Sequence, residues 1–203
     1  MSIVAMQYDA SGAPVPASAR LIYLMGPSGA GKDSVLGAAR EQLMARHVRI
    51  ARRVITRADG GRWEDADGVS LCVFEQMHAR GEFALTWRAN GLAYGIPAYI
   101  DEWLSQGWHV LVSGSRAHLE QARSRYPELV PVLLTVAPQV LRERLVGRGR
   151  EGLDEIERRL VRNQCMQLLV QEGVRVVDDS AALDDAVCGL LAVLFAAGVT
   201  TSP

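Results

Sequence analysis

The sequence predicts an α/β domain with a mainly parallel central sheet. Three observations predict it. Short apolar runs of strand length recur along the chain. Segments of helix length separate them. The first run passes directly through a glycine-rich loop into a helix. Strands alternating with helices in this way need crossover connections, and these favour parallel pairing.

Residues 1–18 carry Ser, Gly, Ala and Pro with little periodicity, and they read as a flexible N-terminal arm. Residues 20–25 (RLIYLM) form a continuous apolar run, as a strand buried on both faces requires. The glycine loop follows, then a helix over about 32–46. Residues 48–53 read as a second strand. Residues 54–96 hold Gly, Asp and aromatic residues without a long helical period and are expected to leave the main sheet. Residues 109–113 (HVLVS) form another buried strand, followed by a helix near 117–125. Residues 130–136 (VPVLLTV) are the next strand. Pro138 opens a helix at its first turn, where the missing N–H costs nothing. Gly147-Arg148-Gly149 breaks that helix, and a charged helix runs from about Asp154. Residues 174–177 make a last short strand, and 181–197 a closing apolar helix. No internal repeat or low-complexity tract interrupts this order. The arm is thus followed by one domain over 19–203.

Composition narrows the function. Of 203 residues 49% are apolar, ordinary for a globular protein, and the length suffices for a full core. No stretch reaches the ~20 apolar residues of a membrane span. No basic segment followed by an apolar run marks a signal peptide at the N-terminus. Cys72, Cys165 and Cys188 lie far apart without metal spacing, and an odd count reads as reduced thiols in a cytoplasmic protein. A net charge of −1 provides no global field for nucleic acid or membrane.

Gly26-Pro27-Ser28-Gly29-Ala30-Gly31-Lys32-Asp33 fits GxxxxGK between an apolar strand and a helix, the context that a phosphate-binding loop needs. The glycines let backbone N–H groups converge on phosphate oxygens. The helix N-terminus adds roughly half a positive charge behind them. Lys32 can reach the outer phosphates. With Ser34, these residues are the expected ATP-binding set. The residue after the lysine is ordinarily Ser or Thr, whose hydroxyl binds Mg²⁺. Here it is Asp33, a hard anionic oxygen ligand. The strand at His109–Ser113 runs into Gly114-Ser115-Arg116 without the acid that usually ends it. Asp33 is therefore the expected Mg²⁺ ligand, with a charge complementing the helix N-terminus as the alternative.

The strings GPSGAGKDS, Ile55-Thr56-Arg57, Asn90-Gly91-Leu92-Ala93-Tyr94-Gly95 and Arg148-Gly149-Arg150-Glu151, with Arg158-Arg159-Leu160 downstream, resemble the guanylate kinase superfamily. The likeness covers roughly residues 20–195 in order. It implies an acceptor-binding insertion over 54–96 and an arginine-bearing lid over 147–160. Arg148 and Arg159 are implied as catalytic, Arg144 as a further candidate, and Arg57 as the acceptor-phosphate ligand. Arg88, Asn90 and Tyr94 are candidates for sugar hydroxyls or a second phosphate. Arg116 sits at a strand's carboxyl end, where α/β ligands bind. The turn at Asp178-Asp179-Ser180 resembles one near the adenine, or else caps a helix.

Guanylate kinases read guanine with a Glu in the insertion and with Ser and Tyr hydroxyls. The Glu position falls here on Leu85 and a hydroxyl position on Ile96. The usual Arg-x-x-Arg pair is reduced to Arg57, with Gly60 at the second place. An apolar side chain accepts no hydrogen bond, and each unpaired polar group costs about 1–3 kcal/mol. The strings GPSGAGKDS, WRANGLAYG and VLVSGSRAHL are similar to one subfamily, the ribose 1,5-bisphosphate phosphokinases of phosphonate degradation. The resemblance implies a kinase using ATP and Mg²⁺. Its acceptor is a small phosphorylated sugar, the 1-phosphate of ribose 1,5-bisphosphate, and its products are 5-phosphoribosyl 1-diphosphate and ADP. The competing readings are a guanylate kinase and an inactive guanylate kinase-like binding module. Such modules typically lose the loop glycines and lysine, which this chain keeps.

Overall fold

The computed structural model describes residues 19–57, 66–149, 152–167 and 172–199. The arm at 1–18, Gly60, Trp63, Arg150 and Glu151, and the side chains of Arg162 and Cys165, lie outside the described residues. Five parallel strands form the main sheet in the order β2-β7-β1-β8-β9. They are β1 (Leu21–Met25), β2 (Val48–Ile50), β7 (His109–Ser113), β8 (Val130–Thr135) and β9 (Arg175–Asp178). A second sheet has the order β4-β3-β6-β5, with β3 (Arg53–Ile55), β4 (Ala66–Gly68), β5 (Phe83–Ala89) and β6 (Leu92–Pro97). In it β3 pairs parallel with β4 and antiparallel with β6.

β1 explains why the first apolar run is unbroken. Ile22 and Leu24 point to one face, where they join α1 (Lys32–Met44), α5 (Pro138–Arg148), α6 (Leu153–Gln167) and α7 (Leu183–Ala196) in one core. Leu21, Tyr23 and Met25 point to the other face and meet residues of the second sheet, α3 (Tyr99–Ser105) and α4 (Leu119–Arg125). Both faces are covered, so no charged residue interrupts the strand.

The expected strand over 48–53 is two strands. Val48–Ile50 joins the main sheet, whereas Arg53–Ile55 opens the second. The hydrophobic pattern runs through the junction, and only pairing partners separate the two. The stretch 54–96 also contains a helix, α2 (Leu71–Ala79), with the Ser70 hydroxyl accepting from Val73 N at its start. Its nine residues are too short to display the period that sequence reading relies on. Phe74 from this helix packs with Val54 and Ala93 on the outer face of the second sheet. The helix expected from about 117 begins as a 3₁₀ turn at Arg116–His118 and becomes α4 at Leu119. Gly149 takes a left-handed φ of 62° and ends α5, whereas Gly147 stays inside the helix.

Candidate active site

The phosphate loop joins β1 to α1. Gly29 and Gly31 hold φ of 98° and 86°, the left-handed region that a side chain resists. A Cβ on Gly26 would lie 2.8 Å from the Leu134 carbonyl oxygen, so the loop entry is also sterically confined. Gly31 caps α1 with no side-chain acceptor, which leaves first-turn N–H groups for an anion. The Lys32 ammonium turns back along the loop and donates to Gly26 O at 2.9 Å and Pro27 O at 3.0 Å. Asp33 is half-buried in the first turn of α1 and Ser34 is exposed.

The turn after β9 is structural support for this loop. Asp179 is 2% exposed, and the Arg144 guanidinium donates to its Oδ2 at 2.7 Å and to its carbonyl at 3.0 Å. Ser180 Oγ accepts from Ala137 N at 2.7 Å, which fixes the start of α5. The N-cap of α7 is Ala182, so the turn at 178–180 is not that helix's cap. The sequence offered Arg144 and the turn at 178–180 as separate candidates, and the 35 residues between them hid their pairing.

A second locus forms where the two sheets meet. Tyr23 Oη accepts from Ser115 N at 3.0 Å and donates to Ser115 O at 3.1 Å, clamping the turn after β7. Burial pushes the Tyr23 phenol up to about 12, so it stays protonated. Gly114 makes room for it, since a Cβ there would lie 2.1 Å from Tyr23 Cζ. Arg116 follows on this turn. Its Nη1 is buried and without a partner among the described residues, and burial lowers its pKa from the ordinary value. On the second sheet, Trp87 and Tyr94 are register partners whose rings stack at 5.3 Å. Arg53 reaches from β3 to donate to Ser113 Oγ at 3.3 Å, with its guanidinium 5.6 Å from the Tyr94 ring centroid.

Other sequence candidates are placed apart. Asn90 and Gly91, with φ of 52° and 74°, make the exposed β5–β6 hairpin turn, a role that accounts for the Asn-Gly pair. Arg88 pairs with Glu75 of α2, on the sheet face away from Tyr94. Arg57 follows β3, half-buried, its N–H donating to Ile55 O at 3.0 Å. Arg148 is exposed in the last turn of α5, and Arg159 is half-buried on α6. Arg142 pairs with Glu157 at 2.7 Å on the exposed surface of α5 and α6. His118 lies 6.4 Å from the Trp87 ring. Sequence reasoning passed over Arg53 and Ser113. The available signal was the period-two spacing of Arg53, Ile55 and Arg57, which the misplaced strand boundary hid.

Leu85 and Ile96 also stand opposite each other in the β5–β6 ladder, 6% and 0% exposed. Both belong to the core between the sheets. The two positions that the guanylate kinase resemblance equates with guanine-reading groups are thus packed hydrocarbon.

The donor set fits Mg²⁺ held chiefly by substrate phosphates. No group of three His, Cys, Asp or Glu that could hold a metal occurs among the described residues. Ser113, the last residue of β7, is bonded by Arg53. One loop carboxylate, Asp33, suits an ion that keeps waters and takes few protein ligands.

Comparison with known proteins follows the same line. A ribose 1,5-bisphosphate phosphokinase PhnN of Pseudomonas paraeruginosa is 56% identical over 175 residues, spanning 86% of this chain and 95% of its own. The protein of the same name from Azotobacter vinelandii is 57% identical over 175 residues with the same shares. That of Burkholderia pseudomallei is 45% identical over 177 residues, again with 86% and 95% covered.

The chain belongs to the ribose 1,5-bisphosphate phosphokinase family. A family model described as an AAA domain also matches residues 22–167, from β1 to the end of α6. A solved guanylate kinase from Anaplasma phagocytophilum shares the fold, with TM-score 0.65, 16% identity, and 89% of this chain and 87% of that one covered. Among the described residues no helix is long and apolar enough to cross a membrane.

Proposed function

We propose that the chain transfers the γ-phosphoryl group of ATP to the 1-phosphate of ribose 1,5-bisphosphate, releasing 5-phosphoribosyl 1-diphosphate and ADP, in phosphonate catabolism in the cytoplasm. The observation that carries the choice of acceptor is the Leu85–Ile96 pair, buried where a base would need hydrogen-bond partners. An intact loop with Lys32 argues for turnover over a binding module.

An oxygen of the acceptor 1-phosphate forms the new bond to the γ-phosphorus. The bond from that phosphorus to the β–γ bridging oxygen breaks, and ADP departs with the electron pair. The acceptor oxygen is already ionised, so no general base is required. Loop N–H groups from Gly26 to Ser34 hold the ATP phosphates, and Lys32 leaves its loop carbonyls to meet the transferring group. Arg148 and Arg159 close from α5 and α6 as the lid and offset charge on the equatorial oxygens. Arg57 takes the acceptor 1-phosphate, and the second sheet is the acceptor-binding insertion. Tyr94 and Arg116 border the sugar, with Asn90 at the rim. Asp33 would hold Mg²⁺, which would supply charge neutralisation for the ATP phosphates.

An ADP-release assay with ribose 1,5-bisphosphate, GMP and other phosphorylated acceptors tests this. The sugar bisphosphate should exceed GMP in kcat/KM by at least about 100-fold, the range that missing hydrogen-bond partners produce. A higher value for GMP would sink the reading.

A further inference from the structure

We infer that Arg53 is the specificity-determining residue that holds the second phosphate of the acceptor, the one that does not react. The inference rests on the sugar bisphosphate reading above.

The register of the second sheet sets the geometry. Val54 opposes Gly95 and Ile55 opposes Tyr94, so Arg53 falls opposite Ile96. Opposed residues share a face, and Leu85, Trp87, Tyr94 and Ile96 are paired on that same face. Among the residues paired on this face, Arg53 carries the charge. Its guanidinium reaches to Ser113 Oγ at 3.3 Å, at the carboxyl end of β7. Ligands of open α/β sheets bind at strand ends of this kind.

Arg116, three residues beyond Ser113, provides an independent sign. A buried guanidinium nitrogen without a partner is costly, and an anion at this strand end would satisfy it. Arg53 thus reaches the end of β7, and Arg116 stands on the turn that follows it. A guanidinium reads a phosphate with paired donors, whereas it has no acceptor to offer a base. The half-buried Tyr94 ring, stacked on the buried Trp87, supplies the apolar surface for the pentose.

The spacing suits one bisphosphate. Arg57, the ligand proposed for the reacting 1-phosphate, lies four residues after Arg53. At about 3.3 Å per residue their Cα atoms are at most about 13 Å apart. Side chains extending from both ends of that span reach the two phosphates of a single pentose. Exchanging a base for a charge at this position converts a nucleotide acceptor site into a bisphosphate one.

Calorimetric binding in the presence of a non-hydrolysable ATP analogue and Mg²⁺ tests this without requiring turnover. The probes are ribose 1,5-bisphosphate, ribose 5-phosphate and ribose 1-phosphate. The proteins are the wild type, Arg53→Met and Arg53→Lys. Arg53→Met should weaken ribose 1,5-bisphosphate and ribose 5-phosphate about 30-fold or more, the loss typical of one charged contact. Affinity for ribose 1-phosphate should stay within about twofold. Arg53→Lys, which keeps the charge but not the fork, should recover part of the loss. Equal weakening of both monophosphates, or no change in either, overturns the assignment. If Arg53→Met melts early, Arg53→Lys decides alone: it must lose affinity for the 5-phosphate selectively. A wild type that binds no ribose phosphate removes the proposed function itself, whereas normal binding indifferent to Arg53 removes only this inference.

Discussion

Arg144 Nη1 donates to Asp179 Oδ2 at 2.7 Å, and that carboxylate oxygen lies so close to the phosphate loop that a Cβ on Gly31 would stand 2.2 Å from it. Arg144 Nη1 also comes within 3.5 Å of Ala30 O. The turn after β9 thus braces the loop from behind through one arginine. Gly31 is required twice, once for its φ of 86° and once for this contact.

Asp179→Ala should therefore disturb both stability and nucleotide binding. The substitution leaves a half-buried guanidinium without its charged partner, a loss of about 1–3 kcal/mol. For a domain of this size that is a fall of roughly 2–12 °C in melting temperature. KM for ATP should rise more than KM for the acceptor, because the brace touches only the loop. Thermal melting and two-substrate kinetics check it. An unchanged KM for ATP would reduce the pair to a structural bond.

Asp33→Asn should weaken the Mg²⁺ dependence of ATP binding and lower turnover sharply. A carboxylate beside phosphates at about 4 Å costs on the order of 4 kcal/mol at an effective dielectric near 20 unless a cation intervenes. Asp33→Ser restores the common loop sequence without an acid at the end of β7, and it should rescue poorly. The readouts are ATP affinity and activity against Mg²⁺ concentration. Identical curves for all three proteins would leave Asp33 as a helix-terminus charge.

Tyr23→Phe should loosen the turn that carries Arg116. The hydroxyl serves both the N–H and the carbonyl of Ser115, and removing it strands two backbone groups at about 1–3 kcal/mol. KM for the acceptor should increase while KM for ATP stays near wild type. Gly114→Ala forces a methyl into the Tyr23 ring and should cost more stability than Tyr23→Phe. Melting curves for the two variants establish the order.

Stability should decline below about pH 6.5 through His109. Its Nδ1 accepts from Arg20 N at 3.1 Å, which requires the neutral ring. Burial lowers its pKa most, and the charges of Arg20 and His47 add to the effect. Below the unfolded value the unfolded chain binds a proton that the folded chain refuses, so stability falls as pH drops until the folded pKa is reached. His109→Asn keeps an acceptor near the same place and cannot titrate. Its melting temperature should change less between pH 7.5 and pH 5.5 than that of the wild type.

The sequence by itself determined the parts whose cause is local. The run of residues 20–25, the loop glycines and Pro138 each reflect a demand met within a few residues: burial on two faces, left-handed φ, a tolerated missing N–H. From these came the α/β class, the loop and its lysine, and the strand at His109–Ser113. Leu85 and Ile96 were recognisable as unfit to read guanine, though not as partners in one ladder.

Tertiary structure alone decided what depends on distant segments meeting. The split between Ile50 and Arg53 arose because β2 and β3 pair in different sheets, which no local pattern encodes. Asp179 gained its place beneath the loop by the parallel pairing of β8 with β9, and Tyr23 met Ser115 by the pairing of β1 with β7. Arg53 met Ser113 only when the second sheet folded against the end of β7. Hydrogen-bond registers between strands tens of residues apart fix such contacts, so their physical cause is long-range pairing and not the preference of any one residue.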